Sequence, residues 1–163
     1  EEKLDYIKNT LNFREAKSLA VKYLSTKLRT EKEVKEKLLN EGYEESCINN
    51  VIEELKAIGY INNKLYAQKY VYDRSKLKPM SKKLLKHELM NRGISEEIVD
   101  EVLNDWKVED TNIAGSLLKR KFGKYDLSDE KIIKKAYMFL LHRGFSMETI
   151  REAFRSVNNE ERQ

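Results

Sequence analysis

The chain has 163 residues, 40% of them apolar and 37% charged, with a mean hydropathy of −0.73 and a formal net charge of +4. No uninterrupted apolar run reaches membrane-spanning length, and the regular spacing of the apolar residues argues against disorder. The single cysteine, Cys47, cannot form an internal disulfide, and with no signal peptide in the sequence a cytoplasmic protein is expected.

One proline and few β-branched alternations, set against apolar residues recurring three and four apart, predict an all-α protein. Residues 1–12, with Leu4, Ile7 and Leu11, are expected as a leader helix or extension. A first helix over 13–25 follows, carrying Ala16, Leu19, Ala20, Tyr23 and Leu24. Thr30 and Glu33 have the spacing of a capping box, in which the hydroxyl and the carboxylate each accept from an otherwise unpaired backbone N–H. That signal starts a second helix, and Gly42 ends it in the left-handed conformation. A third helix over 45–57 closes at Gly59. The order then restarts. Asn62 or Asn63 caps a helix to about Leu77, Pro79 breaks the chain, Ser81 caps a helix ending at Gly93, and Ser95 caps one reaching Asp105. Trp106 is expected to fill the joint that follows. The last three helices are expected over 110–122, from Ser128 or Asp129 to Arg143, and over 146–157. Ser128 lies four residues before the position matching Thr30 and Ser81, so the middle helix of this last set should be a turn longer at its start. Gly115, inside an apolar helical pattern, suggests a close helix approach.

The restart has a fixed period. Gly42, Gly93 and Gly144 lie 51 residues apart, and Leu38, Leu89 and Leu140 share their register, as do Ile48, Val99 and Ile150. A period of this size means a tandem array of small units. The expected organisation is three three-helix repeats, at 13–59, 60–108 and 109–157, in an elongated, curved array with a tail at 158–163. Such arrays offer an extended surface to a macromolecule, which favours binding over catalysis. No glycine-rich phosphate loop or nucleophile elbow is present. The two histidines, His87 and His142, lie at non-equivalent positions with no carboxylate or cysteine set around them. The sequence therefore predicts no catalytic residue, no cofactor and no metal site.

The residues shared between repeats also match a bacterial family. The run Tyr23-Leu24-Ser25, with Arg29-Thr30-Glu31-Lys32-Glu33-Val34, Lys37-Leu38 and Gly42-Tyr43, resembles the opening repeat of the RecX regulators. The segment from Leu55 to Asn63, with Tyr66-Ala67 and Tyr70-Val71, is similar to the family's most recognisable stretch, and Lys86 to Leu89 with Arg92-Gly93-Ile94 resembles its second-repeat helix pair. The resemblance covers about residues 13 to 157. It departs at Lys27-Leu28, where the family often carries a proline, and at Lys78-Pro79, where it often carries a glycine. It implies a small helical-repeat protein, non-enzymatic, that binds RecA as a filament on single-stranded DNA. Restraint of ATP hydrolysis, strand exchange and repressor co-cleavage is implied too, which would place the chain in DNA repair, homologous recombination and the SOS response.

Charge locates the residues that could carry such an interaction. From Lys64 to Arg92 nine Lys or Arg stand against Asp73 and Glu88, whereas from Gly93 to Asp110 seven Asp or Glu stand against Lys107 alone. The middle repeat is expected to present cations on one edge and anions on another. Lys69, Tyr72 and Lys76 share one helical face, where two ammonium groups flank an aromatic ring, chemistry suited to a phosphate backbone with an unstacked base or to an acidic protein groove. Lys78, Lys82, Lys83 and Lys86 continue the stretch, and cations in the first turns of a helix oppose its macrodipole, which argues for a partner. Lys119, Arg120, Lys121 and Lys124 form a second cluster, at a helix end where cations do favour the dipole. The expected partners are RecA and its nucleoprotein filament, with direct DNA contact open, and the expected state is a monomer. An autonomous single- or double-stranded nucleic-acid-binding repeat protein is the alternative, since the basic stretch and Tyr72 would suffice for it.

Overall fold

A computed structural model describes residues 2–160, and among them it holds nine α-helices and no strand. They are α1 (Glu2–Thr26), α2 (Glu31–Asn40), α3 (Glu45–Ala57), α4 (Asn63–Leu77), α5 (Lys82–Asn91), α6 (Glu96–Asp105), α7 (Asp110–Phe122), α8 (Glu130–His142) and α9 (Met147–Glu160). No described helix is long and apolar enough to cross a membrane. The expected leader is continuous with the first helix: α1 runs unbroken, with Leu4, Tyr6, Ile7 and Leu11 exposed and only its later residues reaching the core through Ala16 and Ala20. At the other end α9 continues past the expected 157 to Glu160, and the tail residues 161–163 lie outside the described residues.

The helices fall into two compact units that do not follow the 51-residue period. One comprises residues up to 68 together with 89–98, the other residues 69–88 together with 99 onward, so the middle repeat is shared between them. The first unit closes around Ala16, Ala20, Val34, Leu38, Ile48, Val51, Ile52, Leu55 and Ile61. In the second, Ala114, Leu117, Leu118, Phe122, Ala136, Leu140, Phe145, Ile150, Ala153, Phe154 and Val157 form the corresponding cluster. Leu38 and Leu140, two periods apart, are completely buried, and Tyr137 stacks on Phe154 at 5.0 Å between centroids.

Helix ends explain why the period survives. Thr30 and Glu33 make the capping box: Glu33 N–H donates to Thr30 Oγ1 at 3.2 Å, and Thr30 N–H donates to the Glu33 carboxylate at 2.8 Å. One period later Ser81 Oγ accepts from Leu84 N–H at 3.1 Å, but leucine stands where Glu33 would be and cannot return the bond. The Ser81 N–H donates instead to the carbonyl of Arg143, at the end of α8, at 2.9 Å. Thr30 and Ser81 are both fully buried, so each of these polar groups needs its partner. A second device recurs at the same register. The first helical N–H of α2, Glu31, is accepted by Asn63 Oδ1 at 3.0 Å, and that of α5, Lys82, by Asp110 Oδ1 at 3.0 Å. In each case the first residue of the next repeat's opening helix satisfies a donor that the helix itself leaves unpaired.

α8 begins with Asp129 as N-cap, its carboxylate accepting from Lys131 N–H at 2.8 Å, and has 13 residues against 10 in α2 and α5. The longer middle helix expected from Ser128 is therefore present. Gly115 departs from expectation, since a Cβ built there meets nothing within 4 Å and no close helix approach explains the glycine. Gly115→Ala should accordingly raise stability by about 0.5–1 kcal/mol, the entropic advantage of alanine in a helix. A higher midpoint in urea denaturation is the expected readout, and a lower one would contradict the open space.

Candidate functional site

On α4 the buried side is set by Ala67 and Val71, at 0% and 1% exposure, which turns Lys69, Tyr72 and Lys76 outward. Tyr72 is 56% exposed, so its ring is not packed as core, and Lys76 Nζ lies 5.6 Å from the ring centroid. Lys69 Nζ lies 3.8 Å from an oxygen of Asp73, one turn on. Half-buried Tyr70 ties the helix down. Its hydroxyl donates to the Glu88 carboxylate and accepts from Arg74 Nε at 2.9 Å, with Arg74 itself 3.4 Å from Glu88. Arg74 is thus committed to a triangle between α4 and α5.

The remaining cations of the stretch divide in two. Lys86 Nζ meets Asp100 of α6 at 2.7 Å, so this cation of α5 faces an anion of α6. Lys76, Lys78, Lys82 and Lys83 make no ion pair with any described residue. Lys76, Lys78 and Lys83 are exposed and Lys82 is half-exposed, so four ammonium groups stand unneutralised between the end of α4 and the start of α5.

In the second cluster the geometry is again mixed. Lys121 Nζ sits 3.9 Å above the Phe139 ring and Lys124 Nζ 5.2 Å above that of Tyr125, while Lys119 is exposed at the end of α7. Exposed Arg120 lines a cavity of about 390 Å³ together with Arg74 and Lys76, so one member of each basic cluster reaches a common mouth. Trp106, half-buried, and Val108 line the same cavity, which places the tryptophan of the joint on its wall. Arg143 was not among the sequence candidates. Its Nη1 donates to the Pro79 carbonyl at 2.9 Å, its guanidinium lies 4.8 Å from the Phe139 centroid, and its pKa is held below the ordinary arginine value by burial and then by Arg120. The signal that could have found it is the period, because Arg92-Gly93 and Arg143-Gly144 are one repeat apart.

His87 and His142 are exposed on their helices. Cys47 is half-buried, and its thiol pKa is raised by burial and then by Glu44, the environment of a packing residue and not of a nucleophile.

Comparison with known proteins decides the family. Models of the first, second and third three-helix domains of RecX match residues 16–55, 62–103 and 109–154. The chain belongs to the RecX family. The regulatory protein RecX of Chlorobium phaeobacteroides (strain BS1) is 34% identical over 144 residues, 88% of this chain and 94% of that one. RecX of Clostridium botulinum (strain Eklund 17B / Type B) is 30% identical over 162 residues, 97% of this chain and 76% of its own length. Among solved structures, RecX from Lactobacillus salivarius superposes with a TM-score of 0.77 at 26% identity, covering 91% of this chain and 98% of that one. The three-helix RecX domains and the 51-residue period describe the same repeated architecture.

Proposed function

We propose that this RecX chain is a non-enzymatic, cytoplasmic negative modulator of RecA. It lies in the groove of the RecA filament on DNA and inhibits ATP hydrolysis, strand exchange and repressor co-cleavage. Family membership across all three repeats supports the class of partner. The observation that supports the site is the run of cations Lys76, Lys78, Lys82 and Lys83, which make no ion pair with any described residue, beside exposed Tyr72. Lys82 and Lys83 open α5, where they gain nothing from the helix dipole, so their charge, with that of exposed Lys76 and Lys78, is available to an anionic surface. Lys69, Lys86, Lys119, Arg120, Lys121 and Lys124 contribute to the wider positive field in which such a surface is steered. Acting as a monomer, the chain bridges successive RecA subunits with successive repeats, gaining affinity from individually weak contacts and resisting the closure that ATP turnover requires.

The competing reading, an autonomous nucleic-acid binder, rests on the same cations and on the Tyr72 ring. Binding assays separate the two. A filament modulator should bind naked single-stranded DNA weakly and the RecA filament at least about tenfold more tightly at the same salt. A chain that binds naked DNA as tightly as the filament, with a steep loss of affinity as salt rises, would be the autonomous binder. Saturation at one chain per RecA subunit along the whole filament would contradict bridging.

A further inference from the structure

The cavity between α4, α5 and α7 combines an apolar floor with a cationic rim. Its volume of about 390 Å³ falls in the range of ligand pockets. Val71, Met80, Leu85 and Leu117 form the floor, each 3% exposed or less, and Trp106 walls one side. At the rim, Lys76 and Arg120 are exposed and make no ion pair with any described residue, whereas Arg74 is held by Glu88 and Tyr70. Arg143 adds to the charge, because it bonds the carbonyl of Pro79, itself a lining residue.

We propose that this cavity is a docking pocket for an acidic peptide segment of a partner protein. One bulky apolar side chain rests on the floor while neighbouring carboxylates meet Lys76 and Arg120. Charge complementarity and the chemistry of the floor select this occupant. An aliphatic or aromatic side chain leaves no polar group to satisfy there. A nucleobase would bring its hydrogen-bonding edge against Val71, Met80, Leu85 and Leu117, and each unpaired polar group would weaken binding. Among the lining hydroxyls, that of Ser75 already donates to the Tyr72 carbonyl at 2.6 Å. Carboxylates on the rim gain charge-assisted bonds of the kind arginine forms in a fork. The inference goes beyond the reading of the chain as a RecA modulator and does not depend on it, because it names the recognised chemistry and not the partner that supplies it.

Fluorescence anisotropy with a fluorescein-labelled peptide, acetyl-Asp-Glu-Phe-Asp-Glu, tests this on the full chain. The wild type should bind. Replacing the peptide's Phe with Ala should weaken binding about tenfold or more, and Lys76→Glu with Arg120→Glu should do the same by reversing the rim. Both substituted residues are exposed, so circular dichroism should be unchanged in that variant. Ser116→Trp, which plugs the mouth from an exposed position, should abolish binding. Absence of binding to the wild type at millimolar peptide would overturn the proposal. So would equal affinity for the Phe and Ala peptides, which would reduce the pocket to diffuse electrostatics. It would also be overturned if a single-stranded oligonucleotide, and not the peptide, lost binding in Ser116→Trp.

Discussion

Gly144→Ala is expected to destabilise the second unit by about 3 kcal/mol or more, while Gly42→Ala, at the same register two repeats earlier, costs about 1–2 kcal/mol. Both glycines have positive φ, +83° and +87°, and end the middle helix of their repeat. Alanine at either position meets the strain of the left-handed region. Only Gly144 adds a steric term, since a Cβ there would lie 2.6 Å from Ser81 Oγ and 2.7 Å from Leu84 Cβ, whereas at Gly42 nothing lies within 4 Å. The close approach follows from the docking of α8 on the start of α5, where the Arg143 carbonyl takes the Ser81 N–H. Any shift that relieves the clash stretches that bond and exposes the buried Ser81. Trp106, the sole tryptophan, belongs to the second unit, so urea denaturation followed by its fluorescence reports on the affected region. Equal losses in the two variants would show that the glycines serve only their backbone conformation.

The contrast between those two glycines also marks what the sequence could carry. Helix boundaries were legible because each rests on local chemistry: Thr30 with Glu33, Ser81, Asp129 and the left-handed glycines act within four residues of their own helix. The period and the buried Leu38, Leu89 and Leu140 were legible for the same reason, as repeated local patterns. What joins one repeat to the next was not. That Ser81 finds its partner in Arg143, or Lys82 in Asp110, depends on chain segments tens of residues apart. The candidate site shows the same limit. A run of lysines is visible in the sequence, but whether a given lysine is free depends on which acid folds against it. Lys86 meets Asp100, and Arg74 meets Glu88 with Tyr70, while Lys76, Lys78, Lys82 and Lys83 meet no acid among the described residues. The contacts of Arg143 are not legible in the sequence because they go to the Phe139 ring and to a carbonyl 64 residues away.

Reversing Lys76 and Lys78 to glutamate is expected to weaken action on RecA by about tenfold or more without disturbing the fold. Both residues are exposed and neither has an ion pair with a described residue to lose, so the expected change in stability, from the Tyr72 ring contact and the helix-end charge of Lys76, is within about 1 kcal/mol. The double substitution takes the formal net charge from +4 to 0 and places two anions where an anionic surface would dock. Like-charge contact at an interface costs several kcal/mol when desolvated and less at the rim, so a tenfold loss, about 1.4 kcal/mol, is the lower bound expected of a contributing site. Lys69→Glu should have a smaller effect, because Lys69 already shares its charge with Asp73. Lys121→Glu should act chiefly on stability, because its ammonium lies over the Phe139 ring.

The most direct test of a RecA modulator is the rate of DNA-dependent ATP hydrolysis by purified RecA, titrated with the wild-type chain and with Lys76→Glu/Lys78→Glu. Inhibition by the wild type at fewer chains than RecA subunits, with about ten times more of the double variant needed for the same effect, is the predicted result. A hydrolysis rate unchanged by saturating wild-type chain would contradict the function itself, and equal inhibition by the two proteins would contradict the site.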